Sequence, residues 1–201
     1  MAVLNPRRLE FPFTPEQVGS LRAGQFVLVS GQVVTARDRI HKFLFEGGKS
    51  PVDLKNAAIY HCGPVVVRKD GGWTVRAAGP TTSIREEPYL GRIIKEHGVR
   101  VIIGKGAMGK VTEKACVAGG CVYLHAIGGA AQLLADKIVE VKAVYFGSEF
   151  GFAEAMWVLE VKDFPAIVAI DSRGRSLLKK IAVDSRRLGR KLMEPVDRFE
   201  A

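Results

Sequence analysis

The order of strand-like and helix-like segments constrains the fold of this chain more than any other feature. Runs of β-branched and aromatic residues predict strands at residues 25–35, 58–68, 73–78, 100–104, 121–124, 138–146, 157–161 and 166–170. Apolar residues at helical spacing predict helices at residues 36–46, 86–97, 111–117 and 130–137. Because the two kinds of segment do not follow a strict β-α-β order, we expect an α/β domain with a mixed sheet.

Glycines mark the turns between these segments. Gly31 lies inside the first long strand and predicts a bend or a bulge there. The turn sequence KDGG at residues 69–72 predicts a hairpin between the strands on either side of it. No internal repeat or low-complexity linker divides the chain, so we expect a single domain over residues 1–201 with a basic helical tail at residues 179–201.

The charge of the chain is strongly positive. Lys and Arg number 30 against 21 Asp and Glu, a net charge of +9, and such a surplus usually indicates an anionic partner. Much of the excess lies in residues 173–198 at helical spacing, which is typical of a solvated basic helix. The sequence contains no RNP-like aromatic motif or zinc finger, so we expect no nucleic-acid binding. A basic nucleotide- or nucleic-acid-binding domain remains the alternative function from another class.

The apolar runs and the cysteines indicate in which compartment the protein is located. No apolar run reaches the roughly 18 residues that a membrane span needs, and residues 1–11 lack the apolar core of a secretory signal, so we expect a cytoplasmic protein. Cys62, Cys116 and Cys121 are too few and too irregularly spaced for a disulfide framework. Cys116 and Cys121 match one step of a ferredoxin pattern, but no further cysteine follows, so we expect no metal site within this chain.

A glycine-rich run, GKGAMGK at residues 104–110, matches two phosphate-binding patterns and follows a strand, as both patterns require. A P-loop needs Ser or Thr directly after its lysine to hold magnesium, and this chain has Val111 there. A dinucleotide fold needs an acidic residue about 20 positions on, and residues 121–131 contain none. The run therefore argues against a nucleotide site, although exposed turn amides together with Lys105 suit some anion.

The run GPTTSIR at residues 79–85 combines three consecutive hydroxyl side chains with Arg85 at a strand-to-helix junction. One hydroxyl, that of Ser83 or Thr82, is enough to cap a helix, so a second function is expected of this run. An arginine in a first helical turn is unfavourable for the helix dipole, which prefers acidic residues there. We therefore interpret Arg85 as a guanidinium fork that faces a carboxylate ligand, with Thr81 close by.

A third candidate, TARDRIHK at residues 35–42, places Arg37 directly after a strand, where α/β folds commonly put ligand contacts. Its alternative interpretation is an exposed, charged helix start. Arg37, Arg85 and Lys105 all lie at strand-to-helix turns. Three cations that converge on a small dianion suit a dicarboxylate, because two clamp its carboxylates and the third offsets charge in the transition state.

Several linked motifs closely resemble the C-terminal part of class I fumarases, which in many prokaryotes is a separate beta subunit. They are TARDRIHKFL, GPTTSIR, IIGKGAMG, YLHAIGGAAQLLA and EAMWVLEVKDFPAIVAID, and the resemblance extends over residues 9–178. It implies a swivelling β/β/α fold and reversible hydration of fumarate to L-malate, a step of the tricarboxylic acid cycle. L(+)-tartrate dehydratase, whose beta subunit belongs to the same family, is the alternative.

The resemblance also implies a cofactor, a partner and site residues. A 4Fe-4S cluster with one open iron acts as Lewis acid in this family, and an alpha subunit carries its three cysteine ligands. Arg37, Arg85 and Lys105 are then expected to bind substrate carboxylates, and Thr81 is the candidate for proton transfer. A heterotetramer of two alpha and two beta subunits is the expected assembly. One departure is His125, which stands where the family pattern leads us to expect a small or apolar residue.

Overall fold

A computed structural model describes residues 5–69 and 71–193 of the chain. Nine strands are formed by these residues: β1 (Arg7–Glu10), β2 (Phe26–Thr35), β3 (Ala58–Tyr60), β4 (Val65–Lys69), β5 (Gly72–Ala77), β6 (Val101–Gly104), β7 (Val122–His125), β8 (Ile138–Tyr145) and β9 (Met156–Ile170). The helices are α1 (Pro15–Ser20), α2 (Asp38–Phe45), α3 (Glu87–His97), α4 (Lys110–Gly119), α5 (Ala131–Ala135), α6 (Gly147–Phe150) and α7 (Leu177–Met193). A 3-10 turn, Ser83–Glu86, leads into α3.

The main sheet is mixed and closes on itself. Strands β2, β3, β6 and β7 lie side by side and parallel, and β1 is parallel to β2 on the outside. The long strand β9 runs antiparallel to both β2 and β7, so these five strands form a cylinder, to which β8 adds through β9. The expected α/β fold with a mixed sheet is confirmed.

Two apolar cores follow from the alternation of side chains along the strands. Ala58 and Tyr60 of β3 point into the cylinder, whereas Ile59 between them packs outward against the helices. Helices α2, α3 and α4 cover this outer face, with fully buried residues such as Ile40 and Leu90. Helices α1 and α5 lie elsewhere, because Val18 and Leu134 pack with the core inside the cylinder.

Two strand predictions were wrong in detail. Residues 58–68 do not form one strand, because the chain leaves the main sheet after Tyr60 and pairs again only from Val65 in the small β4–β5 hairpin. Residues 157–161 and 166–170 form a single strand, β9, which continues through an irregularity at Asp163, a residue with positive φ. In both places tertiary pairing decides the strand boundary rather than local residue preference.

Other predictions were confirmed. Strand β2 is one bent strand whose pairing shifts at Gly31, where φ is 100° and the chain bulges. Gly98 ends α3 in the left-handed conformation. The basic tail is helical as far as the structure describes it, in α7, and its remaining residues 194–201 lie outside the described part. Within the described residues, no helix is both long and apolar enough to cross a membrane.

Candidate functional site

The candidate site lies at the edge where the parallel strands of the main sheet end. Because parallel strands all point the same way, the segments that follow β2, β3, β6 and β7 meet at this edge. Arg37 follows β2, Lys105 follows β6, and His125 is the last residue of β7, opposite Gly104. Residues that are up to about 90 positions apart in sequence are therefore brought together by strand order.

The GPTTSIR run is fastened to this edge by hydrogen bonds. The amide of Thr81 donates to the carbonyl of His61 (2.8 Å), and the amide of Ser83 donates to the carbonyl of Lys105 (3.0 Å). The Ser83 hydroxyl accepts from the Lys105 amide at 2.9 Å, so it anchors the run to β6 and does not cap the following turn. A Cβ at Gly104 would collide with this hydroxyl, which explains the glycine there.

Arg85 connects two candidate groups through one nitrogen. Its Nη2 donates to the Thr81 hydroxyl (2.9 Å) and also lies 2.9 Å from Asp38 Oδ2. The side chains of Arg85 and Asp38 are 45% and 43% exposed. An ion pair this exposed contributes only about 0–1 kcal/mol, so a ligand carboxylate can replace Asp38 at little cost.

Arg37 is held more firmly. Its Nε lies 3.2 Å from Glu154 Oε1, and its Nη1 donates to the carbonyl of Ala153 at 3.3 Å. The other Glu154 oxygen accepts from the Arg39 amide (3.1 Å). A Cβ at Gly63 would lie 2.8 Å from Arg37 Nη1 and would collide with the Ala153 carbonyl. The guanidinium therefore fits into a space that only glycine at position 63 leaves open.

Lys105 differs from both arginines because none of the ion pairs among residues 5–69 and 71–193 includes it. Its backbone bridges to Thr82, and the stem of its side chain runs close to Gly128 in the loop after β7. The structure thus brings Thr81, Arg85 and Lys105 to one edge, with Arg37 beside Asp38 at the start of α2.

The end of the glycine-rich run and the start of α4 are bound by a carboxylate of this chain. The Glu87 carboxylate accepts from the amides of Gly109 (2.9 Å), Val111 (2.8 Å) and Thr112 (3.2 Å), and from the Thr112 hydroxyl (2.5 Å). These are the free donors of the first turn of α4, where a bound phosphate would otherwise sit. An internal anion therefore occupies the start of α4, and the Gly109 amide of the glycine-rich run is not free for a ligand.

Three titratable groups are fully buried beneath the site: His41, His61 and Glu86. His41 Nδ1 lies 2.9 Å from the carbonyl of Arg37 and 3.4 Å from Glu86 Oε2, and the two imidazole rings meet edge to face at 4.9 Å. Burial lowers the pKa of His41 to about 4 and lowers the pKa of His61 well below its ordinary value. Burial, and next the nearby Asp38 carboxylate, raise the pKa of Glu86 to about 8.

Sequence reasoning missed the carboxylates of this site. Asp38 was included only in the alternative interpretation of residues 35–42 as an exposed, charged helix start, and Glu86 and Glu154 were not considered as site residues. The spacing of Asp38 and His41, three residues apart on one helix, places them on the same face and was an available signal. Nothing in the sequence shows that Glu86 faces α2, because this depends on how the 3-10 turn packs against it.

Cations and a hydroxyl at one edge of the sheet form an arrangement that suits an anion. Comparison with known proteins shows to which family the chain belongs. The family model described as Fumarase C-terminus matches residues 5–181. The chain belongs to this fumarase C-terminal family. The matched range contains every site residue named above.

Curated relatives carry two kinds of name within this family. A protein of Geobacillus stearothermophilus, provisionally named as a class I fumarate hydratase, is 50% identical over 94% of this chain and 36% of its own length. A Methanocaldococcus jannaschii protein, provisionally named as an L(+)-tartrate dehydratase subunit beta, is 40% identical over 86% of this chain and 93% of its own. The L(+)-tartrate dehydratase subunit beta of Escherichia coli strain K12 is 36% identical over 89% of this chain and 90% of its own length. The chain thus spans about a third of the first relative.

The thiols of this chain do not fit an iron–sulfur cluster. Cys62 packs inside the cylinder, whereas Cys116 and Cys121 lie in the core beneath the helices, and all three are buried. Burial raises the pKa of Cys62 to about 12, which disfavours the thiolate that a metal requires. In the part of the chain that the structure describes, no three His, Cys, Asp or Glu residues are grouped to hold a metal ion.

Proposed function

We propose that this chain supplies the carboxylate-binding part of a class I type hydro-lyase that reversibly hydrates fumarate to L-malate. The hydrogen bond from Arg85 to Thr81, at the edge that also carries Lys105, is the observation that supports this most directly. It places a cation, a hydroxyl and a second cation at one solvent-accessible edge. A four-carbon dicarboxylate needs this combination, because both of its ends are charged and its chemistry occurs between them.

In this proposal Arg85 and Lys105 bind the substrate carboxylates, and Arg37 adds a third positive charge. The exposed Asp38 gives up its contact with Arg85 when a substrate carboxylate arrives, at a cost of at most about 1 kcal/mol. Arg37 keeps Glu154, since this pair is only 25% and 19% exposed. Arg37 therefore contributes chiefly through its fixed position and its charge.

Thr81 is the candidate for proton transfer at the substrate carbon. A threonine hydroxyl is a weak base, and its alkoxide needs stabilisation by neighbouring positive charge. The Arg85 guanidinium donates to this oxygen at 2.9 Å and thereby supplies that charge. In the dehydration direction the Thr81 alkoxide accepts a proton from the substrate carbon and becomes the hydroxyl, and in the hydration direction the hydroxyl returns that proton and becomes the alkoxide.

The proposal includes a partner for the chemistry that this chain lacks. A 4Fe-4S cluster, held by an alpha subunit, would supply Lewis-acid chemistry at the substrate hydroxyl. The names of the relatives as beta subunits support a separate alpha chain, and two copies of each subunit form the proposed heterotetramer. L(+)-tartrate is the second candidate substrate, because the same relatives carry its name and its two carboxylates fit the same cations.

The test is anaerobic co-expression of this chain with a cysteine-bearing alpha subunit from the same genome. The purified complex is assayed with fumarate, L-malate and L(+)-tartrate, and the ratio of kcat/KM values identifies the substrate. We expect turnover by the complex and none by this chain alone. Absence of turnover with all three substrates, together with salt-sensitive nucleic-acid binding, would favour the alternative class.

Arg85→Ala tests the site assignment within an active complex, and Arg92→Ala is its matched control. Both side chains are 45% exposed and both take part in exposed ion pairs, but Arg92 lies on α3 and pairs with Glu96. We expect Arg85→Ala to lower kcat/KM by about a thousandfold or more and Arg92→Ala to leave it unchanged. Equal activity of the two variants would contradict the proposed site.

A further inference from the structure

Glu86 and Asp38 form an unusual pair of acidic side chains behind Arg85. Asp38 is half-exposed at the start of α2, while Glu86 follows Arg85 in the 3-10 turn and is completely buried. Asp38 is near enough to the Glu86 carboxyl to raise its pKa, and Glu86 Oε2 lies 3.4 Å from His41 Nδ1. Two acidic groups therefore meet at the back of a guanidinium that also contacts Thr81.

The hydrogen bonding of this pair requires a proton. No donor among residues 5–69 and 71–193 bonds to either Glu86 oxygen, although both oxygens are buried. Two ionised carboxylates cannot bond to each other, because each only accepts. A proton on Glu86 supplies the missing donor and removes a buried charge that would otherwise be costly. His41 does not substitute for it, since its Nδ1 is already 2.9 Å from the carbonyl of Arg37.

We propose that Glu86 and Asp38 share one proton, held by Glu86, and that Glu86 is a positioning residue whose proton allows a dianion to bind at Arg85. The claim that this proton allows a dianion to bind rests on the proposed function, whereas the shared proton itself does not. Without the proton, Asp38, Glu86 and a ligand carboxylate would place three negative charges around one guanidinium. When Glu86 holds the proton, Asp38 is the one negative group of this pair beside Arg85, so the ligand carboxylate meets less repulsion.

The groups that face Glu86 support this assignment. Burial is the main cause that raises the pKa of Glu86, the nearby Asp38 raises it further by repulsion and by hydrogen bonding, Arg85 lowers it, and Glu154 adds a smaller increase. His41 is uncharged at neutral pH, because burial lowers its pKa to about 4, so its 3.4 Å contact with Glu86 joins two neutral groups. His61, behind His41, is neutral for the same reason. Arg85 is therefore the single cation among these neighbours.

The first experiment measures the proton directly on the full chain without substrate. Protein carrying ¹³C in its glutamate carboxyl groups is titrated by NMR, and the signal that Glu86→Gln removes is assigned to Glu86. We expect this carboxyl to titrate near pH 8 and Asp38→Asn to move its titration to lower pH. Titration together with exposed glutamates, or no response to Asp38→Asn in a folded protein, would overturn the shared proton.

The second experiment measures the consequence in the complex with the alpha subunit. Apparent KM for the dicarboxylate is expected to rise toward tenfold for each pH unit above about pH 8 in the wild type, and to stay flat over the same range in Glu86→Gln. The kcat profiles of the two proteins should coincide, which distinguishes positioning from a merely structural role. Glu96→Gln, an exposed change on α3, should follow the wild type.

The outcomes separate the two proposals. A Glu86 signal near pH 8 in a protein without hydro-lyase activity would refute the proposed function and leave the proton-sharing pair standing. An active complex in which wild type and Glu86→Gln have the same KM profile would refute the positioning role and leave the proposed function standing.

Discussion

Replacing Glu86 by Gln is expected to change the pH dependence of folding in a defined direction. The pKa of this carboxyl rises from its ordinary value of 4.5 to about 8 in the folded protein. Between these values the folded protein holds a proton that the unfolded chain has lost, so stability falls as pH rises through this interval. Glutamine removes this dependence and keeps a donor for Asp38.

The magnitude follows from the proton linkage. One pH unit within the interval corresponds to about 1.36 kcal/mol. Between about pH 6.5 and about pH 8.5 the wild type is therefore expected to lose about 2 kcal/mol relative to Glu86→Gln. His41 and His61 act in the opposite direction, because lowered pKa values cost stability as pH falls below 6.5. Measurements above pH 6.5 isolate the effect of Glu86.

The assay is urea denaturation of both proteins at several pH values, with the free energy of unfolding extrapolated to water. The quantity of interest is the difference between the two proteins, which cancels the contributions of all other titrating groups. Curves that run parallel from about pH 6.5 to about pH 8.5 would mean that Glu86 is ionised throughout, and the reasoning about its burial would be wrong.

Three further predictions concern the packing around the site. Gly63→Ala should displace Arg37 and lower the free energy of unfolding by about 1–3 kcal/mol in denaturation experiments. The control, Gly19→Ala in α1, has nothing within 4 Å of the added Cβ and should leave stability equal or higher. Equal effects of the two substitutions would contradict the close packing of Arg37 against Gly63. Glu87→Ala should lower the melting temperature through loss of about 1–2 kcal/mol, since it uncaps α4, and an unchanged melting temperature would show that the cap is dispensable. Arg85→Lys should raise KM about tenfold or more because one ammonium cannot reproduce the contacts of Nη2, and a wild-type KM would refute that geometry.

The sequence predicted the parts of the fold that local chemistry decides. Gly98 ends its helix and Gly31 bends its strand because each backbone position needs a conformation that glycine adopts without strain. The joining of residues 157–161 and 166–170 into β9 could not be predicted, because it depends on pairing with β2 between Val158 and Ile167. Strand boundaries set by distant partners are not encoded in the residues beside them.

For the site, positions at strand ends could be predicted and contacts could not. Arg37, Arg85 and Lys105 stand out because cations follow strands at junctions where ligands commonly bind. The internal partners of the arginines, Asp38 and Glu154, come from other segments, and their roles emerge only from the packing of the 3-10 turn and of the loop before β9 against α2. The carboxylate of Glu87 at α4 was equally invisible, since its four partners lie 22 to 25 residues away.

The closed sheet has a consequence for how this domain exists in cells. A cylinder has no free strand edges in its wall, so apart from the separate β4–β5 hairpin the described residues leave free edges only on β1 and β8. Both carry charged side chains that oppose such pairing, Arg7 and Arg8 on β1 and Glu140 and Lys142 on β8. Among the relatives the same domain makes up 36% of one protein and 90% of another. A sheet that pairs most of its own backbone in this way leaves few places where copies of the domain could join by strand pairing, whatever share of a protein the domain makes up.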